Sequence, residues 1–339
     1  MSSREGGFRV GVAGVGSLGF HHGRILQDLP GVEAVGFYDP DQNRSREVED
    51  RLGLRSFSSL EGLLDEVEGL VVATPTSTHE EVATTAAGRG IHLFIEKPIA
   101  PTLESADRIL EEAEAGQAIV QVGHVERFNP AVLAAEPYLD TPLFVESHRL
   151  APFSPRGTDV AVVLDLMIHD VDLVHNLIRN PVSEIAAAGV PVLTPSVDIA
   201  NARISWEGGA VANLTASRVS TERMRKIRIF QPSGYLSLDL GEGSGRFLRL
   251  KEDIPLLQDR GGELQPPQGL PGDLLDLVEV IPLEVDPVEP LRRELEDFRD
   301  CAQNGRRPKV AGTDGRTALA LALTIEERIS QHVANSRSS

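Results

Sequence analysis

The stretch that decides the fold is Phe8-Arg-Val-Gly-Val-Ala-Gly-Val-Gly-Ser-Leu-Gly19. It begins as a β-branched, strand-like run and continues as the pattern G-x-G-x-x-G, with Gly14, Gly16 and Gly19 at the fixed positions. In a strand–turn–helix unit the first glycine permits a tight turn and the second lets the backbone approach a pyrophosphate closely. The third allows the helix to pack against the strand.

The helix that follows this turn is predicted over Gly16–Leu29. Its first amides, around Ser17 and Leu18, would point at bound phosphates together with the positive end of the helix dipole. The stretch therefore predicts a turn that holds a dinucleotide. The alternative is a glycine-rich turn without a ligand.

An acidic residue stands at the distance that such a turn requires. Asp39 follows the strand-like run Val35-Gly-Phe-Tyr38 and lies about twenty residues beyond Gly19. An aspartate there accepts hydrogen bonds from ribose hydroxyls and repels a 2′-phosphate, which favours NAD over NADP. Arg44 and Arg46 leave NADP open as an alternative, and Asp39-Pro40 is also compatible with a simple turn.

Strand-like and helical segments alternate from Phe8 to about Val122, which is typical of βαβ units with a parallel sheet. We therefore expect an α/β fold with an N-terminal NAD-binding Rossmann domain over residues 1–124. The predicted strands are Phe8–Val12, Val32–Tyr38, Gly69–Ala73, His92–Ile95 and Ala118–Val122. The predicted helices are Gly16–Leu29, Arg44–Leu52, Leu60–Leu64, Thr78–Arg89 and Leu103–Ala115.

After His124 the pattern changes to longer extended segments with hairpin-like spacing. We expect residues 125–339 to form an α+β domain with a mostly antiparallel open sheet. Its predicted strands are Leu143–Leu150, Ser183–Val192, Ala200–Trp206, Ala210–Ser217, Lys226–Phe230 and Tyr235–Leu240. Its predicted helices are about Val160–Ile178, Pro290–Asn304 and Asp314–Val333, and Glu252–Asp273 is predicted to be a surface loop.

Composition excludes several classes of partner. The formal charge of −18 at pH 7 argues against nucleic acids and anionic membranes, whose phosphates would be repelled. The single cysteine, Cys301, permits no internal disulfide and no cysteine cluster for zinc. The start of the chain does not resemble a signal peptide, and no run of about 18 apolar residues occurs, so we expect a cytoplasmic protein. One face of the open sheet would be exposed, which predicts homodimers or homotetramers.

Two segments are expected to border the crevice at the carboxyl ends of the parallel strands, where open α/β sheets bind ligands. One is Ile91–Pro98, which ends in Glu96-Lys97-Pro98. The proline fixes its own φ and can accommodate a cis bond, so it would hold Lys97 in a defined direction. The other is Ala73-Thr-Pro-Thr-Ser-Thr-His79. Interpreted from the residues alone, Glu96-Lys97 is also compatible with a solvated pair at the end of a strand.

The predicted helix over 159–178 carries a polar stripe on an otherwise mostly apolar surface. Asp165, His169, Asp172 and Asn176 stand at i, i+4, i+7 and i+11, which places them on one face. A histidine between carboxylates is a sensible general base, because a neighbouring anion raises its pKa and a nearby ammonium lowers it. The stripe therefore predicts a catalytic face, and the alternative is an ordinary surface helix with a narrow wet side.

The glycine turn, the Thr-Pro loop and Glu-Lys-Pro, in this order, resemble the glucose–fructose oxidoreductase/inositol dehydrogenase/MocA (Gfo/Idh/MocA) family over nearly the whole chain. The resemblance implies that Lys97 contacts both the nicotinamide and the substrate hydroxyl and is catalytic. It also implies a set of residues that line the cofactor, in addition to the glycine turn and Asp39. These are Thr74, Pro75, Thr76, His79, Glu96 and Lys97.

The family's catalytic helix carries an aspartate, a histidine four residues later and often a second aspartate, as do Asp165, His169 and Asp172 here. The resemblance implies that His169 takes the hydroxyl proton and that Asp165 orients the histidine. No metal is required, because a lysine can supply the electrostatic help. Where the family usually has a glycine two residues after the aspartate, this chain has Met167.

The segment Gly123-His-Val-Glu-Arg-Phe-Asn-Pro130 resembles a subgroup that oxidises C3 of UDP-N-acetylglucosamine. This implies a nucleotide-sugar substrate, whose diphosphate needs cations such as arginines, although each candidate arginine is also compatible with an ordinary surface or structural role. Asp172, Asn176 and His124 are candidate substrate contacts, and His124 is also compatible with simply ending a strand. Two alternatives stay open, namely a dehydrogenase of a free sugar or polyol such as inositol and an NAD-sensing regulator without turnover. The candidate arginines are Arg127, Arg149 and Arg156.

Overall fold

The computed structural model describes residues 7–154, 161–251, 258–260, 263–265 and 277–337. These residues form two compact units. The first unit comprises residues up to Phe128 together with Val163–Leu173 and Val288–Glu327. The second comprises Asn129–Val162, Val174–Pro287 and the residues from Arg328 onward.

The first unit contains a five-stranded parallel sheet in the order β2-β1-β3-β4-β5. An isolated parallel bridge between Phe37 of β2 and Ser56 lies beyond β2, at the place of the third strand in the Rossmann order. All four residues of β3 and of β5 are buried, because helices cover both faces of such a sheet. The strands are β1 Phe8–Ala13, β2 Val32–Tyr38, β3 Gly69–Val72, β4 His92–Glu96 and β5 Val120–Gly123. The helices between them are α1 Ser17–Gln27, α2 Gln42–Leu52, α3 Leu60–Leu64, α4 His79–Ala87 and α5 Leu103–Ala115.

Two later helices, α8 Pro290–Asn304 and α9 Gly312–Arg337, bring further residues to the first unit. Phe298 of α8 makes edge-to-face ring contacts with Phe8 and Phe94, at centroid distances of 5.9 Å in both cases. These contacts close an apolar core over β1 and β4. The expected division at residue 124 does not anticipate that residues 288–327 join the first unit.

The predicted helix over 160–178 is irregular at its start. Val163–Met167 form a π-helical turn, and helix α7 follows as Ile168–Ile178. Residues up to Leu173 belong to the first unit and the rest of α7 to the second. Single π-helical turns within helices occur often at functional sites.

The second unit is built on an eight-stranded sheet in the order β15-β12-β11-β10-β6-β9-β8-β7. Neighbouring strands are antiparallel except β6 and β9, which are parallel. Two of its strands, β12 and β15, and helix α6 Pro130–Ala135 were not predicted from the sequence. The strands are β6 Phe144–Leu150, β7 Val182–Val190, β8 Ile199–Trp206, β9 Val211–Ser217, β10 Met224–Gln231, β11 Gly234–Asp239, β12 Ser244–Leu250 and β15 Val278–Pro282, with a separate hairpin of β13 Gln258–Arg260 and β14 Glu263–Gln265.

Burial alternates along the strands of this sheet, for example in β6 and β8, so one face is buried and the other is more open. Within the described part of the chain, no helix combines the length and the apolar character that crossing a membrane would need.

Candidate active site

The glycine turn has the shape that a dinucleotide requires. Gly14 has φ +83°, and a Cβ atom there would lie 2.7 Å from the backbone nitrogen of Thr74. A Cβ on Gly19 would overlap the Gly14 carbonyl oxygen, so no side chain fits at either position. At Gly16, by contrast, no atom lies within 4 Å of the Cβ position. The chain packs tightly around two of the glycines and leaves open space at the middle one.

The N-terminus of α1 faces this open space with its backbone amides. Gly16 caps the helix without a side-chain hydrogen bond, and the first turn carries no acidic residue. Gly16, Ser17 and Leu18 are exposed. An N-terminus without a capping side chain and with the positive end of its dipole exposed fits a bound diphosphate.

Asp39 is turned toward the glycine turn. Its Oδ2 accepts the backbone N–H of Val15 at 2.8 Å, and its Oδ1 accepts that of Asp41 at 2.9 Å. Beside it lies a cavity of about 400 Å³, lined by residues that include Tyr38, Asp39 and Arg46. Asp39 thus both accepts a hydrogen bond from the glycine turn and belongs to the lining of this cavity.

Arg44, one of the two arginines that left NADP open, is engaged in holding the turn. Its guanidinium donates to the carbonyl oxygens of Val15 and Gly16 at 2.7 and 3.1 Å and pairs with Glu47. Arg46 is the arginine that lines the cavity beside Asp39.

His79 joins the two loops that were expected to border the crevice. It is buried, with Nε2 2.9 Å from the Thr74 carbonyl oxygen and Nδ1 3.1 Å from that of Pro98. Burial lowers the pKa of His79, although the carbonyl contacts oppose this shift. His79 therefore links the two loops to each other, and its contact with the cofactor stays a prediction.

The loop itself offers other groups to a cofactor. Pro75 is exposed and Thr76 is half-buried. The Thr74 hydroxyl oxygen has no hydrogen-bond partner among the described residues.

Lys97 and Asp165 are in direct contact. Lys97 Nζ donates to the backbone carbonyl oxygen of Asp165 at 2.6 Å and lies 3.5 Å from its Oδ1. Asp165 belongs to the π-helical turn before α7, and Lys97 precedes Pro98 through a cis peptide bond. Asp165 therefore holds the lysine, and its predicted role in orienting His169 stays a prediction.

His169 lies beside a second, fully buried histidine. The rings of His124 and His169 meet edge to face, with their centroids 6.1 Å apart. Neither ring nitrogen of His124 has a hydrogen-bond partner among the described residues. Burial lowers the pKa of His124, and the positive charges of Arg127 and Lys97 act in the same direction. His124 is thus a neutral imidazole next to the candidate base.

Arg127 and Asp172 form a buried, bidentate ion pair. Arg127 Nε and Nη2 each lie 2.7 Å from a carboxylate oxygen of Asp172, and both side chains are almost fully buried. Because this geometry occupies the guanidinium, we drop Arg127 from the candidate diphosphate ligands. Asp172 is likewise directed at the arginine, and its role as a substrate contact stays a prediction.

Two further predicted substrate contacts lie in the second unit. Arg149 is buried on β6, and Asn176 is half-buried near the end of α7, both in the second unit. Arg156 lies outside the described residues.

One buried contact was missed from the sequence. His22 of α1 is fully buried, and its Nε2 lies 2.7 Å from Oε1 of Glu96. The Glu96 carboxylate is thereby held by His22 of α1, and its contact with the cofactor stays a prediction. Burial opposes ionisation, but the His22 hydrogen bond holds the pKa of Glu96 below its usual value. Helical spacing could have predicted the burial of His22, because it lies three residues from both Gly19 and Ile25 on the buried face of α1.

Comparison with known proteins agrees with this geometry. Residues 8–124 match the model of an oxidoreductase family with an NAD-binding Rossmann fold. Residues 135–237 match the Gfo/Idh/MocA C-terminal domain.

Two characterised relatives cover nearly the whole chain. UDP-N-acetylglucosamine 3-dehydrogenase from Acidithiobacillus ferrooxidans is 35% identical over 318 residues, covering 94% of this chain and 96% of that protein. A solved structure of that enzyme has a TM-score of 0.86 and covers 96% of this chain and 98% of its own, at 33% identity. The scyllo-inositol 2-dehydrogenase (NAD(+)) of Bacillus subtilis is 26% identical, covering 93% of this chain and 92% of that protein.

A levoglucosan dehydrogenase solved with NADH and levoglucosan shares the fold, with a TM-score of 0.81 at 17% identity. The two matched models and the 35% identical relative together decide the family. The chain belongs to the Gfo/Idh/MocA family of oxidoreductases.

Proposed function

We propose that this chain uses NAD to oxidise a secondary hydroxyl of a sugar, and that the substrate is UDP-N-acetylglucosamine, oxidised at C3, or a related nucleotide sugar. The observation that carries the proposal is the Lys97 ammonium, fixed by Asp165 at the carboxyl end of β4 in the same unit as His169. The 35% identity to a UDP-N-acetylglucosamine 3-dehydrogenase over 94% of the chain supports this choice of substrate.

In this proposal each group has one task. His169 accepts the proton of the substrate hydroxyl as general base. Lys97 Nζ donates a hydrogen bond to the same oxygen and stabilises the negative charge that develops there. The Asp165 carbonyl holds Lys97 in this direction. Bound NAD would supply the hydride acceptor for this oxidation, in which the alcohol becomes a ketone and one proton is released.

We assign NAD as the cofactor because of the position of Asp39. Its carboxylate accepts the backbone N–H of Val15 in the glycine turn, and the residue lines the 400 Å³ cavity. A ribose with free hydroxyls can donate to it, whereas a 2′-phosphate would be repelled.

His124 is proposed as a contact for a polar substituent of the sugar. A buried imidazole without a hydrogen-bond partner is costly, and a substrate group that donates or accepts would remove this cost. Contacts from Arg149, Arg156 and Asn176 remain predictions, and no step above depends on them.

We also propose that the chain associates with copies of itself through the open face of the large sheet. A row of apolar side chains crosses six neighbouring strands there, and the rings of Phe230 and Tyr235 stack at 4.7 Å. The row consists of Val211, Phe144, Phe230, Tyr235, Leu248 and Val280. Such contiguous apolar surface favours an isologous interface. In sedimentation experiments, Phe230→Glu should then lower the fraction of the protein that is oligomeric. Leu193→Glu, at an exposed site outside the row, should leave that fraction unchanged.

A free polyol is the second candidate substrate, favoured by the scyllo-inositol 2-dehydrogenase relative. Purified protein with NAD and a panel of nucleotide sugars, free sugars and inositols separates the two. We expect NADH formation with UDP-N-acetylglucosamine. Turnover of inositol without turnover of any nucleotide sugar would overturn the proposed substrate.

A further inference from the structure

A buried chain of contacts links the helix that follows the glycine turn to the catalytic lysine. His22 Nε2 lies 2.7 Å from Glu96 Oε1, and the Lys97 backbone N–H donates to Glu96 Oε2 at 3.3 Å. Both side chains lie inside the first unit, where His22 has no exposed surface and Glu96 almost none. The links run from α1, through the carboxylate at the end of β4, to the backbone of Lys97.

The surroundings of this chain hold both side chains in one place. The His22 ring packs edge to face on Phe94, with the centroids 5.0 Å apart. A Cβ atom on Gly123 would lie 3.0 Å from Glu96 Oε2, so glycine at that position leaves the room that the carboxylate occupies. A buried carboxylate needs a donor to remain ionised, and His22 is a donor within reach of Oε1.

We propose that His22 is a positioning residue: by donating to Glu96, it fixes the backbone of Lys97 and so aims the Lys97 ammonium at the reacting hydroxyl. The inference rests on the proposed role of Lys97. It also connects the cofactor turn to catalysis, because His22 lies on the helix whose N-terminus would hold the diphosphate.

The test compares substitutions that retain or lose the donor. In His22→Gln the amide nitrogen can take the place of Nε2, whereas in His22→Asn the side chain is too short to reach Glu96. We expect kcat to fall about 10- to 100-fold in His22→Asn, because small misplacements of a catalytic group cost this much. His22→Gln should recover most of this loss, with NADH affinity nearly unchanged in both. His21→Gln, at an exposed position on the same helix, is the matched control.

The pH profile of kcat separates positioning from a merely structural role. Without its donor the buried Glu96 would bind a proton at a higher pH, so the acid limb of the His22→Asn profile should move upward. In a Glu96→Gln background, adding His22→Asn should produce no such movement. The titratable groups around Glu96 are His22, Lys97, His79, His124 and Glu294.

A second readout does not depend on the substrate. Acetic anhydride acetylates lysine side chains, and mass spectrometry of the Lys97 peptide gives the rate at that residue. This rate should differ from the wild-type rate in His22→Asn and return to it in His22→Gln. Unchanged kcat, pH profile and acetylation in a folded His22→Asn protein would overturn the inference. The wild type could fail to oxidise any sugar alcohol while the Lys97 acetylation rate still changes in His22→Asn and returns in His22→Gln. The proposed function would then fail, but the positioning of Lys97 by His22 would stand.

Discussion

Lys97 Nζ lies 2.6 Å from the backbone carbonyl oxygen of Asp165, a residue 68 positions later in the chain. The contact joins the end of β4 to the π-helical turn before α7. Lys97 Nζ also lies 3.5 Å from Oδ1 of the same residue, so Asp165 holds the ammonium through both its backbone carbonyl and its carboxylate.

Replacing Lys97 by Met should abolish turnover and leave NADH binding within about threefold, since the loss falls on the transition state. The measurements are kcat with the preferred substrate and a fluorescence titration with NADH. Lys226→Met, at an exposed lysine of the second unit, is the control. Comparable rates for Lys97→Met and the wild type would refute the role of the lysine. A wild type that binds NADH without any turnover would favour the sensing regulator.

Asp39→Asn should relax the choice of cofactor. The amide keeps the shape of the side chain but removes the charge that repels a 2′-phosphate. We expect the ratio of kcat/KM for NAD to that for NADP to fall about 10- to 100-fold, the range of one charged hydrogen bond. In the Asp39→Asn background, adding Arg46→Leu should then lower kcat/KM for NADP. A wild type that prefers NADP would contradict the assignment.

Removing one partner of the buried Arg127–Asp172 ion pair should destabilise the protein. Arg127→Leu leaves the Asp172 carboxylate buried without its arginine, at a cost of about 3–5 kcal/mol in the free energy of unfolding. The double variant Arg127→Leu/Asp172→Leu should be more stable than the single one, because no charge is left unpaired. Urea denaturation measures both. Undiminished stability together with a raised KM for the nucleotide sugar would restore Arg127 as a diphosphate ligand.

Glu294 should make the protein less stable as the pH rises. Its carboxyl group is fully buried without a hydrogen-bond partner among the described residues. Burial, with Glu96 and Asp172 nearby, raises the pKa of Glu294 well above its usual value. The folded state therefore keeps a proton that the unfolded state loses above about pH 4.3.

Between the pKa of Glu294 in the unfolded state and its raised pKa in the folded state, this group lowers the free energy of unfolding by up to about 1.4 kcal/mol per pH unit. Glu294→Gln lacks the ionisation, so its stability advantage over the wild type should grow from about pH 5 to pH 8. Urea denaturation at several pH values measures the difference. Glu296→Gln, on the same helix but half-buried, is the control. Parallel curves for Glu294→Gln and the wild type would show that Glu294 is ionised.

The sequence predicted the elements whose patterns are local. The strands of the first unit agree with the structure within two residues, because β-branched runs and glycine turns carry their own signal. The three glycines show the packing that the motif predicts.

Side-chain partners across long sequence separations were not predictable in the same way. Periodicity placed Asp165, His169 and Asp172 on one face, but it could not show that Asp172 pairs with Arg127. Nor could it show the π-helical turn, since the spacing assumed a regular helix throughout. The joining of α8 to the first unit depends on Phe298 packing against distant strands, which no local pattern encodes.

The most direct test of the proposed function follows the hydride itself. UDP-N-acetylglucosamine carrying deuterium at C3 is incubated with the enzyme and NAD, and the reduced cofactor is analysed by mass spectrometry. We predict that the deuterium appears in NADH, that Lys97→Met forms none, and that the sugar product is the 3-ketone. Unlabelled NADH, or turnover of inositol but not of this substrate, would contradict the proposed reaction.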